Sequence, residues 1–209
     1  MTIRRILTYD PVTDGEGSVR IFTSGLLGAI AMFVWTSFAH VATPLASAGI
    51  SKMADEPAVL KAMQDGVGAK SGLYYFPWVE PSDSNMMEKE TALMKTNPSG
   101  FLLYHPPGAS TDMTPLLAEE FTKELAQSLI AAFLLSMTML AGFFKRVGFV
   151  TAVGGFAILG TDLSYLIWYQ YPLSYTLAVM TIELAGAFVA GLAIAWWMGR
   201  SPARASLSF

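Results

Sequence analysis

The sequence predicts an all-α membrane protein: a four-transmembrane-helix bundle with a small α+β extracytoplasmic insertion between helices 1 and 2. Three observations predict it. Of 209 residues, 53% are hydrophobic and only 14% are charged. The charges avoid four long stretches of chain, each near the roughly 20 apolar residues that a spanning helix needs. The 65 mixed residues from Ser51 to Pro115 separate the first two stretches and contain two aromatic, strand-like runs.

Residues 1–20 are read as a cytoplasmic segment. From Ile21 to Ser51 there are 31 residues without formal charge, interrupted only by His40, and helix 1 is placed at 21–48. "ASA" at Ala46–Ala48 resembles a signal-peptidase site. The long leader with acidic members and the overlong apolar run favour an uncleaved span. Ala126–Phe144 is a stretch of 19 uncharged residues, so helix 2 with its amphipathic approach is placed at 116–144. Val147–Tyr171 is apolar except for Asp162, giving helix 3 at 147–170, and Pro172–Met198 is apolar except for Glu183, giving helix 4 at 174–198. Residues 199–209 form a tail.

Basic residues set the expected orientation. With both termini inside, Arg4, Arg5, Arg20, Lys145, Arg146, Arg200 and Arg204 are cytoplasmic, and the outer segments hold lysines against eleven acidic residues. Short basic loops near helix ends carry most of this bias. The aromatic run Tyr165–Tyr175 then marks the opposite interface, where rings with polar tips are favoured. The expected home is a bacterial cytoplasmic membrane. With no cysteine in the chain, disulfides, thiolate metal sites and iron–sulfur clusters are excluded. A net charge of −3 without a basic patch gives no reason to expect nucleic acid.

The insertion at 49–115 reads as helix, strand, helix, strand. Asp55 and Pro57 open the first helix, and Pro98 and Gly100 close the second. "SGLYYFP" from Ser71 is echoed by "SGFLLYHP" from Ser99, each run ending at a proline that stops strand pairing. A two-stranded sheet is marginal in water by itself. The pair is therefore expected to be scaffolding that leans on a neighbour, with Tyr74, Tyr75, Phe76, Trp78, Tyr104 and His105 as partner-docking candidates.

Three ionisable residues fall within the apolar stretches: His40, Asp162 and Glu183. By helical rise all three lie at comparable depth, about 24–30 Å from the basic end. Ionisable groups inside a bilayer are costly and face the bundle interior or a wet cavity. They act either as interhelical polar contacts or as a proton or cation site. Glu119, Glu120 and Glu124, with His105 nearby, lack the second histidine of a zinc helix, so no metal site is assigned. No cofactor is identifiable, and no catalytic constellation stands out; a lone axial His40 is a poor basis for a membrane haem. Small residues recur at four-residue spacing: Ser24 and Gly28; Gly148 and Ala152; Thr151 and Gly155; Ala187, Gly191 and Ala195. Such faces let helices approach closely in lipid.

The expected function is a non-catalytic integral membrane subunit that stabilises or scaffolds a larger complex. The expected partners are the lipid bilayer and other membrane subunits, and a homo-oligomer is compatible with the small-residue faces. The alternative is a proton- or cation-handling protein built on His40, Asp162 and Glu183.

Overall fold

The computed structural model describes residues 15–200. Arg4, Arg5, Arg204 and most of the tail lie outside the described residues. The elements in chain order are α1 (Gly15–Ala42), a 3-10 turn (Pro44–Ser47), α2 (Glu56–Val67), β1 (Gly72–Phe76), α3 (Met86–Met94), β2 (Gly100–Tyr104), α4 (Thr114–Ser136), α5 (Phe143–Trp168) and α6 (Leu173–Met198). They form two compact units. Residues 50–112 with 168–170 make an α+β unit, and the remaining described residues make a helical unit.

In the helical unit, α1 presents Ser24, Gly25, Gly28, Ala29, Met32, Thr36 and Ala39 as one buried stripe. Its glycines are spacers. A Cβ on Gly25 would lie 3.0 Å from the Leu129 Cα, and one on Gly28 would lie 2.8 Å from the Ile194 side chain. The stripe therefore brings α1 against both α4 and α6. On α6 the buried face is Ala178, Ile182, Gly186, Ala187, Ala190, Gly191, Ile194 and Ala195. Helix α5 meets that face where Gly154 sits against Ala187 and where Gly191 sits against Val147 and Val150. In the 3-10 turn, the Thr43 hydroxyl accepts from the Leu45 N–H. Gly49 follows with φ +78° against the Tyr175 backbone, which fastens the end of α1 to the start of α6.

Three helices, α1, α5 and α6, are long and apolar enough to cross a membrane. Helix α4 is not the expected 116–144 span. It ends at Ser136, and helix resumes only at Phe143 after Gly142, whose φ of +97° favours glycine. Glu119, Glu120, Lys123 and Glu124 occupy its first half. The uncharged part that remains, residues 125–136, is about 18 Å long against a hydrocarbon core of about 30 Å. The Lys145-Arg146 pair, expected in a turn, lies in the first turn of α5, and the Arg146 Nε–H donates to the Leu140 carbonyl at 3.1 Å.

In the α+β unit, β1 and β2 pair antiparallel with Leu73 opposite Leu103 and Tyr75 opposite Phe101. The Asp55 carboxylate accepts from the Ala58 N–H at the start of α2. The Tyr75 hydroxyl donates to the Glu90 carboxylate and ties β1 to α3. Phe101 packs edge-on against Tyr169, 5.0 Å between ring centres.

Two outcomes follow from these contacts. Gly25→Ala places a methyl against helix backbone and is expected to destabilise detergent-purified protein by about 1–3 kcal/mol, the usual cost of overpacking. Gly148→Ala, which meets nothing within 4 Å, is expected to leave the thermal midpoint unchanged. The second outcome concerns pH and the α+β unit. The hydrogen bond from Lys89 and the Asn85 N–H lower the Asp83 pKa, so that contribution is present above the ordinary carboxylate range and is lost as pH falls through the lowered value. The hydrogen bond to Glu90, with burial, raises the Tyr75 pKa above 10.0, so its contribution is present below that value and is lost at still higher pH. Hydrogen-exchange protection across residues 72–104, taken relative to the intrinsic exchange rate at each pH, should be greatest between these limits, and Asp83→Asn should remove the acid-side change.

Candidate intramembrane cavity

The helical unit holds an open cavity of about 450 Å³ between α1, α4, α5 and α6, with Lys123, Gln127, Ala157 and Thr161 on its exposed side. One end is polar. His40 from α1, Glu120 and Lys123 from α4, Thr161 from α5 and Glu183 from α6 line it there. The other end is apolar, walled by Ile130, Ala131, Val150, Val153, Ala190 and Ile194. The gradient follows from chain direction. The end of α1 and the start of α4 meet at the polar end, and the charged first half of α4 supplies Glu120 and Lys123.

Glu124 lies one turn beyond Glu120 and is fully buried. Its Oε1 accepts from the Thr36 hydroxyl at 2.7 Å, whereas Oε2 has no protein partner. The Ser128 hydroxyl, one turn further on, lines the cavity, is 2% exposed and has no partner. Lys123 closes an ion pair with Glu120 at 2.7 Å. Buried polar groups left without hydrogen bonds are costly and therefore few in folded proteins. Two of them sit on this one face of α4.

Of the three ionisable residues singled out in the sequence, the structure brings two to the cavity wall, His40 and Glu183. Asp162 is buried on α5 but is not part of that wall, although its carboxyl and that of Glu183 interact electrostatically. Its Oδ2 has no protein partner. Of the neighbouring hydroxyls on α5, Ser164 donates to the Gly160 carbonyl and Thr161 faces the cavity.

The docking candidates separate by sheet face. Tyr104 is buried, with its hydroxyl donating to the Gly68 carbonyl at 3.0 Å. Tyr74 donates to the Lys70 carbonyl at 2.9 Å and stacks edge-on with Tyr104. Trp78 is exposed and donates to Glu80; Phe76 and His105 are exposed as well. The opposite face carries Leu73 and Leu103, at 65% and 68% exposure.

Sequence reasoning passed over Thr36, Gln127 and Ser128. A signal existed: Thr36 is one turn before His40, and Glu120, Glu124 and Ser128 form a polar row at four-residue spacing that runs into an apolar helix. Comparison of the chain with protein-family models, curated proteins and solved structures gives no match.

The Thr36–Glu124 contact is open to a double-mutant cycle. Thr36→Val leaves a buried carboxyl with neither oxygen bonded to protein and is expected to destabilise by about 1–3 kcal/mol. Glu124→Met removes that polar group, so adding Thr36→Val to it should cost clearly less than in the native background. Equal costs in thermal denaturation would show that the two side chains do not interact.

Proposed function

We propose that the protein is a non-catalytic integral membrane subunit that docks onto a larger membrane assembly through its α+β unit. One observation carries this reading: among residues 50–112 only Tyr104 is buried, while Leu73 and Leu103 stand opposite each other on an exposed sheet face. A unit of that size with a single buried residue and a two-stranded sheet lacks a core of its own and is stabilised by a neighbour.

In this reading α4 also crosses, with one face packed on α1. It runs antiparallel to α1, with Phe121 stacked on Phe33, Glu124 bonded to Thr36 and Leu129 against Gly25. Four antiparallel helices leave Arg20, Arg146 and Arg200 at one end, where Arg20 donates to the Met198 and Arg200 carbonyls. That end is cytoplasmic by the positive-inside rule, both termini are inside, and the α+β unit is extracytoplasmic in a bacterial cytoplasmic membrane.

A second reading is favoured by the cavity. His40 and Glu183 share its polar end, as a proton- or cation-handling site requires. Its test is proton flux into proteoliposomes loaded with a pH-sensitive dye, under an imposed potential. Flux that disappears in Glu183→Gln supports it; no flux in the native protein sinks it.

For the docking reading, native membranes are solubilised in mild detergent and the protein's apparent mass is followed. The native chain is expected in a larger particle of fixed stoichiometry. Leu73→Lys combined with Leu103→Glu keeps an attractive cross-strand pair and is expected to migrate alone. A native chain that migrates alone, or a double variant that stays in the particle, refutes docking through this face.

A further inference from the structure

We infer that a second, smaller cavity, at the basic end of the helical unit, binds the phosphate of an anionic phospholipid through Arg20 and Arg146. No residue of the α+β unit takes part.

This cavity has a volume of about 200 Å³ and takes residues from four helices: Arg20 from α1, Ser136 from α4, Arg146 from α5 and Met198 from α6. Its two guanidinium groups converge on the end of α6. Arg20 Nη2 donates to the Met198 and Arg200 carbonyls. Arg146 Nη1 lies 3.2 Å from where a Cβ on Gly199 would be, so the missing side chain lets it approach. Arg146 Nε–H is spent on the Leu140 carbonyl. A guanidinium carries five N–H donors. Nε and Nη1 of Arg20, and both Nη groups of Arg146, therefore remain for a ligand.

Charge gives the anion. Two positive groups that meet at one helical turn call for a counter-charge, and no acidic side chain lines the cavity. Neither arginine is in an ion pair among the described residues. Backbone dipoles do not supply the difference. The N-termini of α1 and α5 and the C-termini of α4 and α6 lie at this end. Each is equivalent to about half an elementary charge, so they cancel in pairs. What remains uncompensated is the charge of the guanidinium groups. Phosphate oxygens match their fork, which donates two parallel hydrogen bonds.

Depth selects a lipid over a soluble anion. Helix α1 runs from Arg20 to its end at Ala42, and α5 from Arg146 to its end at Trp168. Each stretch is about 33 Å long, just more than a hydrocarbon core of about 30 Å. Both arginines thus stand at headgroup level on one side of the membrane, where basic pockets between helices suit anionic heads. The rim beside them is apolar. Leu140 lines the cavity, and Met137, Met139 and Phe144 on either side of it are exposed. Acyl chains gain from such a rim, whereas a free phosphate does not. At about 200 Å³ the cavity is smaller than sites for drug-sized ligands, so it takes the phosphate and leaves the chains outside.

The test uses the full chain in mild detergent at fixed ionic strength, with pyrene-acyl phosphatidylglycerol as the probe. Energy transfer from Trp196 and Trp197, which precede the cavity residue Met198, reports binding. Saturable transfer is expected, with pyrene-acyl phosphatidylcholine clearly weaker. Arg146→Gln should weaken phosphatidylglycerol at least tenfold, as loss of a charged hydrogen bond does. Lys145→Gln removes the same charge one residue away, from an exposed side chain that does not line the cavity, and should change affinity less than twofold. If Arg146→Gln does not purify as a folded species, Ser136→Glu replaces it. That variant puts a carboxylate into the cavity and should abolish binding. Transfer that only tracks micelle partitioning, or equal weakening by Lys145→Gln and Arg146→Gln, overturns the site. So does undiminished affinity in folded Ser136→Glu. Phosphatidylcholine binding as tightly overturns the anionic head. Inorganic phosphate that displaces the probe better than sodium chloride of equal ionic strength overturns the lipid as ligand and leaves a free anion.

Discussion

Helices in hydrocarbon gain little by hiding apolar side chains from one another, because lipid tails are as apolar as leucine. Their association rests on close packing, and here the close packing rests on α1. Gly25 and Gly28 remove the side chains that would hold α4 and α6 away, so that the Leu129 backbone and the Ile194 side chain come within reach of where a Cβ would be. The other parts of the helical unit are placed by that contact. Helix α6 is fixed against α1, α5 is fixed against α6 through Gly154 and Gly191, and the space left between α4 and α5 becomes the cavity.

The same approach accounts for α4. A helix whose first half carries Glu119, Glu120, Lys123 and Glu124 is poorly suited to face lipid. Packed along α1, it turns Glu124 toward Thr36 and Ser128 toward the cavity, and leaves the Lys123–Glu120 pair at the polar end. Of its polar side chains Glu124 and Ser128 are thereby taken inside, while Glu119 and Lys123 stay exposed. The cost is that Glu124 and Ser128 keep unpartnered atoms in the interior, and such groups persist where something other than stability retains them.

Much of this was legible in the sequence, and the exceptions have physical causes. Charge-free length identified α1, α5 and α6, because the bilayer imposes a length on any spanning helix. The two proline-bounded runs identified β1 and β2, since proline ends ladder pairing. The end of α4 was missed because 137–142 is as uncharged as the helix before it, and hydropathy does not register the backbone break before Gly142. The cavity was half visible. His40 and Glu183 stood out as ionisable residues in apolar stretches, whereas Ser128 and Thr36 did not, because a hydroxyl in a membrane helix is usually satisfied by its own backbone. Helix rotation decides which hydroxyl looks inward, and no single-sequence pattern reports it for helices that are apolar all round.

That rotation separates the small-residue rows, which looked alike in the sequence. The α1 and α6 rows are consumed inside the bundle. The α5 row of Gly148, Thr151, Ala152 and Gly155 instead lines an open groove with Phe156 and Phe188. Gly148 has nothing within contact distance of its missing Cβ, while Gly154, on a different face of α5, is pressed against Ala187. Equal spacing thus has opposite consequences on one helix: one face seals against α6 and the other lies open. A small residue is a spacer only where a second backbone comes to meet it. In this fold that condition is met on the sides of α5 and α6 that face each other, and on both flanks of α1. The chain therefore closes around α1, with the cavity beside it, and leaves α5 as its least covered span.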